Sequence, residues 1–196
     1  MKRLTQNLTV IASLILGSLI SINTTSAQAK FQAQSVSLSV KGTSSIHDWE
    51  EKAEAGNANA TIDINGTKVS IASLSFSVPA KNLKSGHGMM DKNTYKALNT
   101  EQHPNITFVL TSATVTPVDG NTYQIKGVGN LTIAGTTRQT DVVATAKWNA
   151  TEKSFVFSGA KKFKMTDYKV EPPTAMFGTI KTGDEVTVSY NLKLKG

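Results

Sequence analysis

Apolar and polar residues alternate along much of the chain, with the period of two that is typical of β-strands. In the first such run, Val36, Leu38 and Val40 alternate with serines, so one face of the predicted strand is apolar and the other carries hydroxyl groups. The same alternation returns in residues 62–64, 74–78, 106–110 and 186–194. The pattern therefore predicts a protein built mainly from strands.

Turn-forming residues separate the alternating runs at hairpin spacing. They are Asn65-Gly66, Asp119-Gly120-Asn121, Gly135-Thr136 and Gly183-Asp184. Such pairs suit the tight turns that join antiparallel strands. We therefore predict a largely antiparallel meander.

Two positions predict irregular strands. The apolar parity changes between Val69-Ser70-Ile71 and Leu74-Ser75-Phe76, so a bulge is needed if both halves face one core. Gly127 and Gly129 lie inside the run from Tyr123 to Ile133 and predict a bend where a barrel curls.

Residues 89–98, MMDKNTYKAL, depart from the strand pattern because Met90, Ala97 and Leu98 share one helical face. They predict a short helix that joins two strands, after which Pro104 returns the chain to an extended conformation. Eight or more strands and one helix predict a closed barrel or a two-sheet sandwich.

The interior of such a barrel follows from the faces of its strands. The alternate faces carry mostly Ser, Thr, Asn and Lys, which must meet water, so the apolar faces are expected to point inward. An apolar barrel interior is either filled with side chains or holds one apolar ligand.

The first thirty residues differ in composition from the rest. Lys2 and Arg3 precede an uncharged run from Leu8 to Ile22, and Ala27-Gln28-Ala29 fits a signal-peptidase site. A membrane anchor is disfavoured because a span needs roughly 20 apolar residues, whereas the run from Leu8 to Ile22 is shorter and is interrupted by small and polar residues. We expect a cleaved signal peptide over residues 1–29 and a single domain over residues 30–196. An exported chain without cysteine gives up disulfides in a compartment that permits them, which is commoner in bacterial periplasmic proteins than in small eukaryotic secreted ones. We therefore expect a bacterial protein that is periplasmic or secreted.

The net charge is +7, of which Lys2 and Arg3 contribute two, and the lysines are spread along the chain. Arg138 is the only arginine after the predicted signal peptide, which disfavours a nucleic-acid interface. The densest basic group, residues 161–164, alternates with apolar residues as on an amphipathic strand. The expected electrostatic partner is an anionic membrane, which such lysines would contact peripherally.

The segment GTSSIHDWEE, residues 42–51, is the best candidate for catalysis. In an extended chain, Ser45 and His47 share a face but stand about 6 to 7 Å apart, too far for a nucleophile and its base. Asp48 points to the opposite face and cannot orient His47. We therefore predict a strand end whose Trp49 packs on the barrel. A hydrolase ranks third, behind the two binding functions described at the end of this subsection.

The three histidines, His47, His87 and His103, match no spacing typical of a metal site. No other residue pattern indicates a bound metal or cofactor. The sequence therefore predicts neither a metal nor a cofactor.

Two stretches resemble the YceI-like family of exported bacterial proteins. His103-Pro104-Asn105-Ile106-Thr107-Phe108 is similar to the family's tyrosine-proline-x-isoleucine-x-phenylalanine stretch, and Gly129 to Arg138 resembles its glycine, leucine-threonine-isoleucine, glycine, threonine and basic signature. The chain departs from the family at His103, where tyrosine is common, and at Met89 to Asn93, which replaces an arginine-aspartate-x-histidine-leucine stretch. The resemblance implies an all-β, antiparallel lipocalin-like β-barrel with one short helix.

The resemblance also implies a function. It indicates a non-enzymatic periplasmic protein that sequesters or carries an isoprenoid or other long-chain lipid in the barrel lumen. The residues expected to line this ligand site are Phe76, Met90, Phe108, Leu131, Phe157, Met165, Phe177 and Tyr190.

A structural or protein-interaction module is the alternative. In that case the core is fully packed and the protein acts through loops such as residues 169–182, which include Met176-Phe177. Pairing of two chains stays open in either case.

Overall fold

The computed structural model describes residues 28–196, most of which lie in strands. The strands are β1 (Gln28–Ser44), β2 (Asp48–Ala53), β3 (Asn57–Asn65), β4 (Lys68–Pro79), β5 (Asn105–Asp119), β6 (Thr122–Ile133), β7 (Thr136–Asn149), β8 (Ser154–Lys164), β9 (Thr174–Ala175) and β10 (Ile180–Lys195). One α-helix, α1 (Gly88–Ala97), joins β4 to β5. Short 3-10 turns lie at Ala80–Asn82, Met165–Tyr168 and Met176–Gly178.

The sheet is antiparallel and closes into an eight-stranded barrel when β1 pairs with β10. β2 and β3 both pair with β1, the former with residues 38–43 and the latter with residues 28–32. Their pairings keep the same register, so the two strands act as one stave that is interrupted between Ala53 and Asn57. The predicted antiparallel barrel with one short helix is therefore confirmed.

The strand faces follow the alternation of the sequence. Val36 and Leu38 are buried, whereas Ser35 and Ser37 are exposed. Burying these apolar side chains, at roughly 25 cal/mol per Å² of apolar surface, favours the closed sheet over the unfolded chain. The first strand also reaches back to Gln28, well before the alternating run that predicted it.

The predicted bulge is present, and a second irregularity lies opposite the predicted bend. The β3–β4 pairing passes from Thr61 opposite Ser73 to Ile62 opposite Ile71, so Ala72 is the extra residue of a bulge. At the predicted bend in β6, the partner strand shifts register between Leu110 and Ser112, directly opposite the two glycines.

Three of the four predicted turns connect neighbouring strands, with the two-residue loops Gly66-Thr67, Gly120-Asn121 and Ala134-Gly135. The prediction of a turn at Gly183-Asp184 was wrong, because both residues lie inside β10. There β1 and β10 shift register between Gly42/Val186 and Ser44/Thr182. Glycine at position 183 gives the exposed Thr43 hydroxyl its present position, which an added β-carbon would crowd.

One end of the barrel is closed by aromatic side chains. The Phe155 ring contacts Phe31, Tyr123 and Trp148, with ring centroids 4.6 to 6.4 Å apart. We call these four residues the aromatic plug. They belong to one continuous core with Ile62 and Leu194, both fully buried.

The helix lies at the opposite end of the barrel. The prediction of a helix over residues 89–98 is confirmed within one residue at each end. Leu98, just after it, packs in a second core with Leu83, Tyr168 and Val170. No helix within residues 28–196 has the length and apolarity to cross a bilayer.

The predicted signal peptide lies outside the described residues except for its last two positions. Gln28 and Ala29 pair with Asp63 and Ile62 in the β1–β3 ladder. The boundary between signal peptide and domain stays a prediction.

Candidate functional site

A cavity of about 600 Å³ occupies the barrel between the aromatic plug and α1. Its inner end is formed by Ile125, Ala144, Phe157 and Leu192, which pack in the same core as the plug. All described strands except β3 contribute apolar side chains to its wall. The contribution of β9 is Ala175, near the opening. The interior is therefore not completely filled by side chains.

The mouth of the cavity is built by three segments. They are the β1–β2 turn with Ile46 and His47, the first turn of α1 with Met89, and the β9–β10 hairpin with Thr174. Two hydrogen bonds hold the first and third segments together: Ser45 N donates to Lys181 O at 2.9 Å, and Lys181 N donates to the side-chain oxygen Ser45 Oγ at 3.2 Å. We use "mouth" for these three segments below.

Seven of the eight residues predicted to line the ligand site do line the cavity. They are Phe76, Met90, Phe108, Leu131, Phe157, Met165 and Tyr190. Phe177 lies outside the cavity, at the tip of the β9–β10 hairpin, with its side chain fully exposed. Contact of any of these residues with a ligand stays a prediction.

Two glycines of β6 make room for apolar side chains of β5. A β-carbon at Gly129 would collide with the Phe108 ring, and one at Gly127 would stand 2.9 Å from Leu110 Cδ1. Phe108 and Leu110 therefore lie against the sheet backbone. Both side chains line the cavity, so these glycines help to shape it.

Tyr190 combines an inward-facing ring with a hydrogen bond to a strand backbone. β7 and β8 pair from Ala144/Gly159 to Asn149/Ser154 and separate beyond the first of these pairs. Tyr190 Oη donates to Val143 O at 3.0 Å, next to the point of separation. Burial raises the pKa of Tyr190 above its ordinary value of 10.0, so the hydroxyl stays protonated at neutral pH.

Glu51 is an acidic residue in the cavity wall with only 1% of its surface exposed. Thr94 Oγ1, from α1, donates a hydrogen bond to Glu51 Oε1 at 2.5 Å. Burial raises the pKa of Glu51, and repulsion from the Asp91 carboxylate acts in the same direction. This hydrogen bond attaches α1 to β2.

Asp91, on the same helix, is ionised more easily than usual. Ser85 Oγ and Ser85 N donate hydrogen bonds to Asp91 Oδ1 at 2.6 and 2.8 Å, and these bonds lower the pKa of the carboxyl group. The pKa of Glu51 is therefore raised while the pKa of the neighbouring Asp91 is lowered.

GTSSIHDWEE forms a hairpin connection rather than the extended segment assumed from sequence. β1 ends at Ser44, and β2 begins at Asp48. Ser44 Oγ donates to His47 O at 2.7 Å, and His47 Nδ1 donates to Asp48 O at 2.7 Å. The hydroxyl of Ser45 accepts from Lys181 N, so it is engaged away from the imidazole.

Trp49 packs on the barrel, as predicted. Its indole ring lies against Gly42, where a β-carbon would stand 2.6 Å from ring atom Cε2. Trp49 Nε1 donates to Thr43 O at 2.9 Å, and the ring also lines the cavity.

The sequence reasoning missed Trp49 and Glu51 as cavity residues. A signal for them existed, since Trp49, Glu51 and Ala53 share one strand parity. The segment DWEEKA carries only Trp49 and Ala53 as apolar residues on this parity, too few to indicate which face points inward. Among residues 28–196, no three His, Cys, Asp or Glu side chains are grouped so as to hold a metal ion.

Solved structures share this architecture at low sequence identity. BcnA of Burkholderia cenocepacia is 20% identical, with 81% of this chain and 95% of BcnA covered at a TM-score of 0.62. A polyisoprenoid binding domain of Saccharophagus degradans, implicated in plant cell wall breakdown, is 12% identical, with 87% and 99% covered at a TM-score of 0.62. The YceI protein of Campylobacter jejuni is 18% identical, with 71% and 82% covered at a TM-score of 0.50.

No curated protein matches this sequence. The sequence profile of the YceI-like domain, in contrast, matches residues 20–194, which is most of the chain. The barrel, the helix α1 and this match agree with the resemblance noted in the two motifs. The chain belongs to the YceI-like family.

Proposed function

We propose that this protein binds a long apolar lipid of the polyisoprenoid type in its barrel and carries it through the bacterial periplasm without converting it chemically. The observation that carries this proposal is the cavity of about 600 Å³ with an almost wholly apolar wall. Its volume falls within the roughly 300–1,000 Å³ of typical small-molecule sites. The Saccharophagus domain with the same fold, which is described as polyisoprenoid binding, supports the choice of ligand.

Hydrophobic transfer alone can hold such a ligand. At roughly 0.8 kcal/mol per methylene, about ten buried carbons contribute about 8 kcal/mol. That energy corresponds to a Kd near 1 μM before the cost of association is subtracted. A long chain is therefore favoured over a short one, because only a long chain offsets this cost.

The cavity also predicts how the lipid is oriented. The polar side chains of the wall lie mainly at the mouth, including His47, His87 and Thr174, whereas the inner end is apolar. A lipid would place its hydrocarbon toward the aromatic plug and its polar end at the mouth, where water and these side chains are available.

Binding without chemistry is supported by the hydrogen bonds of the candidate catalytic residues. Ser45 Oγ and His47 Nδ1 are both committed to backbone groups. Export to the periplasm is supported by the sequence pattern of residues 1–29. The alternative, a module with a fully packed interior, is disfavoured by the cavity.

Extraction of the purified protein with organic solvent, followed by mass spectrometry of the extract, tests the proposal. Ala144→Phe places a ring in the inner end of the cavity and is expected to lower the recovered lipid at least about tenfold. Thr145→Phe adds the same ring to the exposed outer face of the same strand and serves as the matched control.

The expected result is lipid in the wild-type and Thr145→Phe extracts and little in the Ala144→Phe extract. A wild-type protein that yields no lipid and also takes up no added polyisoprenoid would overturn the proposal. Circular dichroism of each variant checks that the ring has not unfolded the barrel.

A further inference from the structure

Large apolar side chains are exposed at the mouth of the cavity. Ile46 is 62% exposed, Met89 is 71% exposed and Met176 is 69% exposed, while Phe177 is fully exposed. They come from all three segments that build the mouth, with Met176 and Phe177 at the tip of the β9–β10 hairpin. Exposed apolar clusters of this kind mark interaction sites.

The backbone of the hairpin tip is strained. Met176, Phe177 and Gly178 have φ values of 50°, 56° and 87°, in the left-handed region. Glycine adopts this region freely, but methionine and phenylalanine rarely do. Because the Phe177 side chain is fully exposed, packing within the chain does not compensate for the unfavourable positive φ of this residue. Backbone strain of this kind is found at functional sites.

Positive charges flank the apolar side chains. Lys92 follows Met89 by one helical turn, and Lys181 is hydrogen bonded to the turn that carries Ile46. Both lysines are exposed, and within residues 28–196 neither forms an ion pair. Among the described residues at this end, the acids are Asp48, Glu171 and Asp91, and the further lysines are Lys169 and Lys84, the latter 3.8 Å from the Asp91 carboxylate. Four lysines against three acids leave the local charge positive by a small margin.

We propose that the mouth is a membrane-docking surface, on which Ile46, Met89, Met176 and Phe177 insert into the interface of a lipid bilayer. This inference goes beyond lipid binding but rests on it for the choice of occupant. The surface surrounds the opening of a cavity suited to a lipid, so docking would let a lipid pass between bilayer and barrel without crossing water.

Bilayer insertion fits these residues because apolar side chains flanked by lysines are typical of interfacial membrane binding. The lysines would add attraction to anionic head groups. Because the apolar contribution is larger than the small excess of charge, we expect binding to neutral bilayers as well, strengthened by anionic lipid.

Flotation of the full chain with vesicles tests the proposal. One set contains phosphatidylethanolamine and phosphatidylglycerol, and the other contains phosphatidylcholine alone. The double variant Met176→Asn/Phe177→Asn is expected to lower the vesicle partition coefficient at least about tenfold in both sets. Asparagine tolerates positive φ, so this variant should unfold at the same temperature as the wild type or higher.

Val118→Asn is the matched control. Val118 is 65% exposed, but it lies at the far end of β5, away from the mouth. Its substitution is expected to leave vesicle binding unchanged.

Two results would overturn docking. One is equal flotation of the wild type and the double variant. The other is a wild type that does not float but forms a dimer that the double substitution dissociates, which would assign the tip to a second copy of the chain. If lipid is still extracted from the wild type in either case, the proposed binding function stands and only the docking surface is wrong.

Discussion

Gly129 shows how one missing side chain shapes the cavity. The Phe108 ring occupies the space that a β-carbon would take, and Val109 O would lie 2.6 Å from that carbon. The ring can leave this space only by moving further into the cavity, and the carbonyl belongs to a paired strand. Any larger residue at this position must therefore displace the wall.

Gly129→Ala is expected to destabilise the protein by about 1–3 kcal/mol through overpacking. Gly88→Ala is the control, because nothing lies within 4 Å of the added carbon and alanine favours the first turn of α1. Urea unfolding of both variants measures the difference. Equal stability of the two variants would show that Phe108 yields without cost.

Glu51 predicts a dependence of stability on pH. Its folded-state pKa is raised by burial, so the folded protein binds its proton more tightly than the unfolded chain does. Such a carboxyl group lowers stability progressively as the pH rises above the unfolded value of 4.5, and the full cost is reached above the folded pKa.

Glu51→Gln keeps an acceptor for Thr94 and removes this cost. Its stability relative to the wild type is expected to increase between pH 4 and pH 8, by about 1.4 kcal/mol for each pKa unit between the folded and unfolded states. Glu50→Gln is the neighbouring control with the opposite sign, because a hydrogen bond from Ser39 lowers the pKa of Glu50. Unfolding curves at both pH values test the pair, and parallel trends would contradict the assignment.

At the scale of elements, β7 and β8 separate next to Val143, and Tyr190 supplies a hydrogen-bond donor for the carbonyl of Val143. Val143 O has Tyr190 Oη as its hydrogen-bond donor, and Gly159 leaves the space through which the phenol ring passes. A side chain of β10 thus connects two strands that have moved apart.

Tyr190→Phe retains the ring in the cavity but removes the donor to the carbonyl. We expect a loss of about 1–2 kcal/mol, measured by thermal or urea unfolding, with lipid recovery unchanged. A neutral effect on stability would show that water replaces the hydroxyl. Loss of lipid at unchanged stability would instead assign the hydroxyl to ligand binding.

Local pattern predicted many elements of this fold. Alternation identified the long strands, and the parity change between Ile71 and Leu74 located the bulge at Ala72. The helix was identified by its lack of alternation. These features could be predicted because each depends on neighbouring residues.

Features that depend on distant partners were not predicted. Gly183 serves the approach of Thr43, more than a hundred residues earlier, so its local turn signal was misleading. The turn after β1 is held by Lys181 of β10, and β9 exists only as the partner of Ile180 and Lys181. The cavity residues were partly predicted because inward parity is local, but Phe177 was misplaced because a strained hairpin turns it outward.

At the scale of the whole molecule, the barrel has a filled end and an open end. The aromatic plug closes the end that carries the β5–β6 and β7–β8 hairpins, and the helix and two hairpins surround the mouth. A ligand of the barrel would therefore enter and leave through the mouth. The proposed binding site thus opens at the proposed docking surface.

The most direct test of the central claim is the affinity of the lipid-free protein for polyprenols of increasing chain length, measured by quenching of tryptophan fluorescence. Transfer into an apolar cavity predicts that Kd falls by about fourfold for each additional buried methylene. The fall should stop when the cavity is full, and it should stop at a shorter chain in Ala144→Phe than in Thr145→Phe. A Kd that does not change with chain length, or that is the same in both variants, would contradict binding in the barrel.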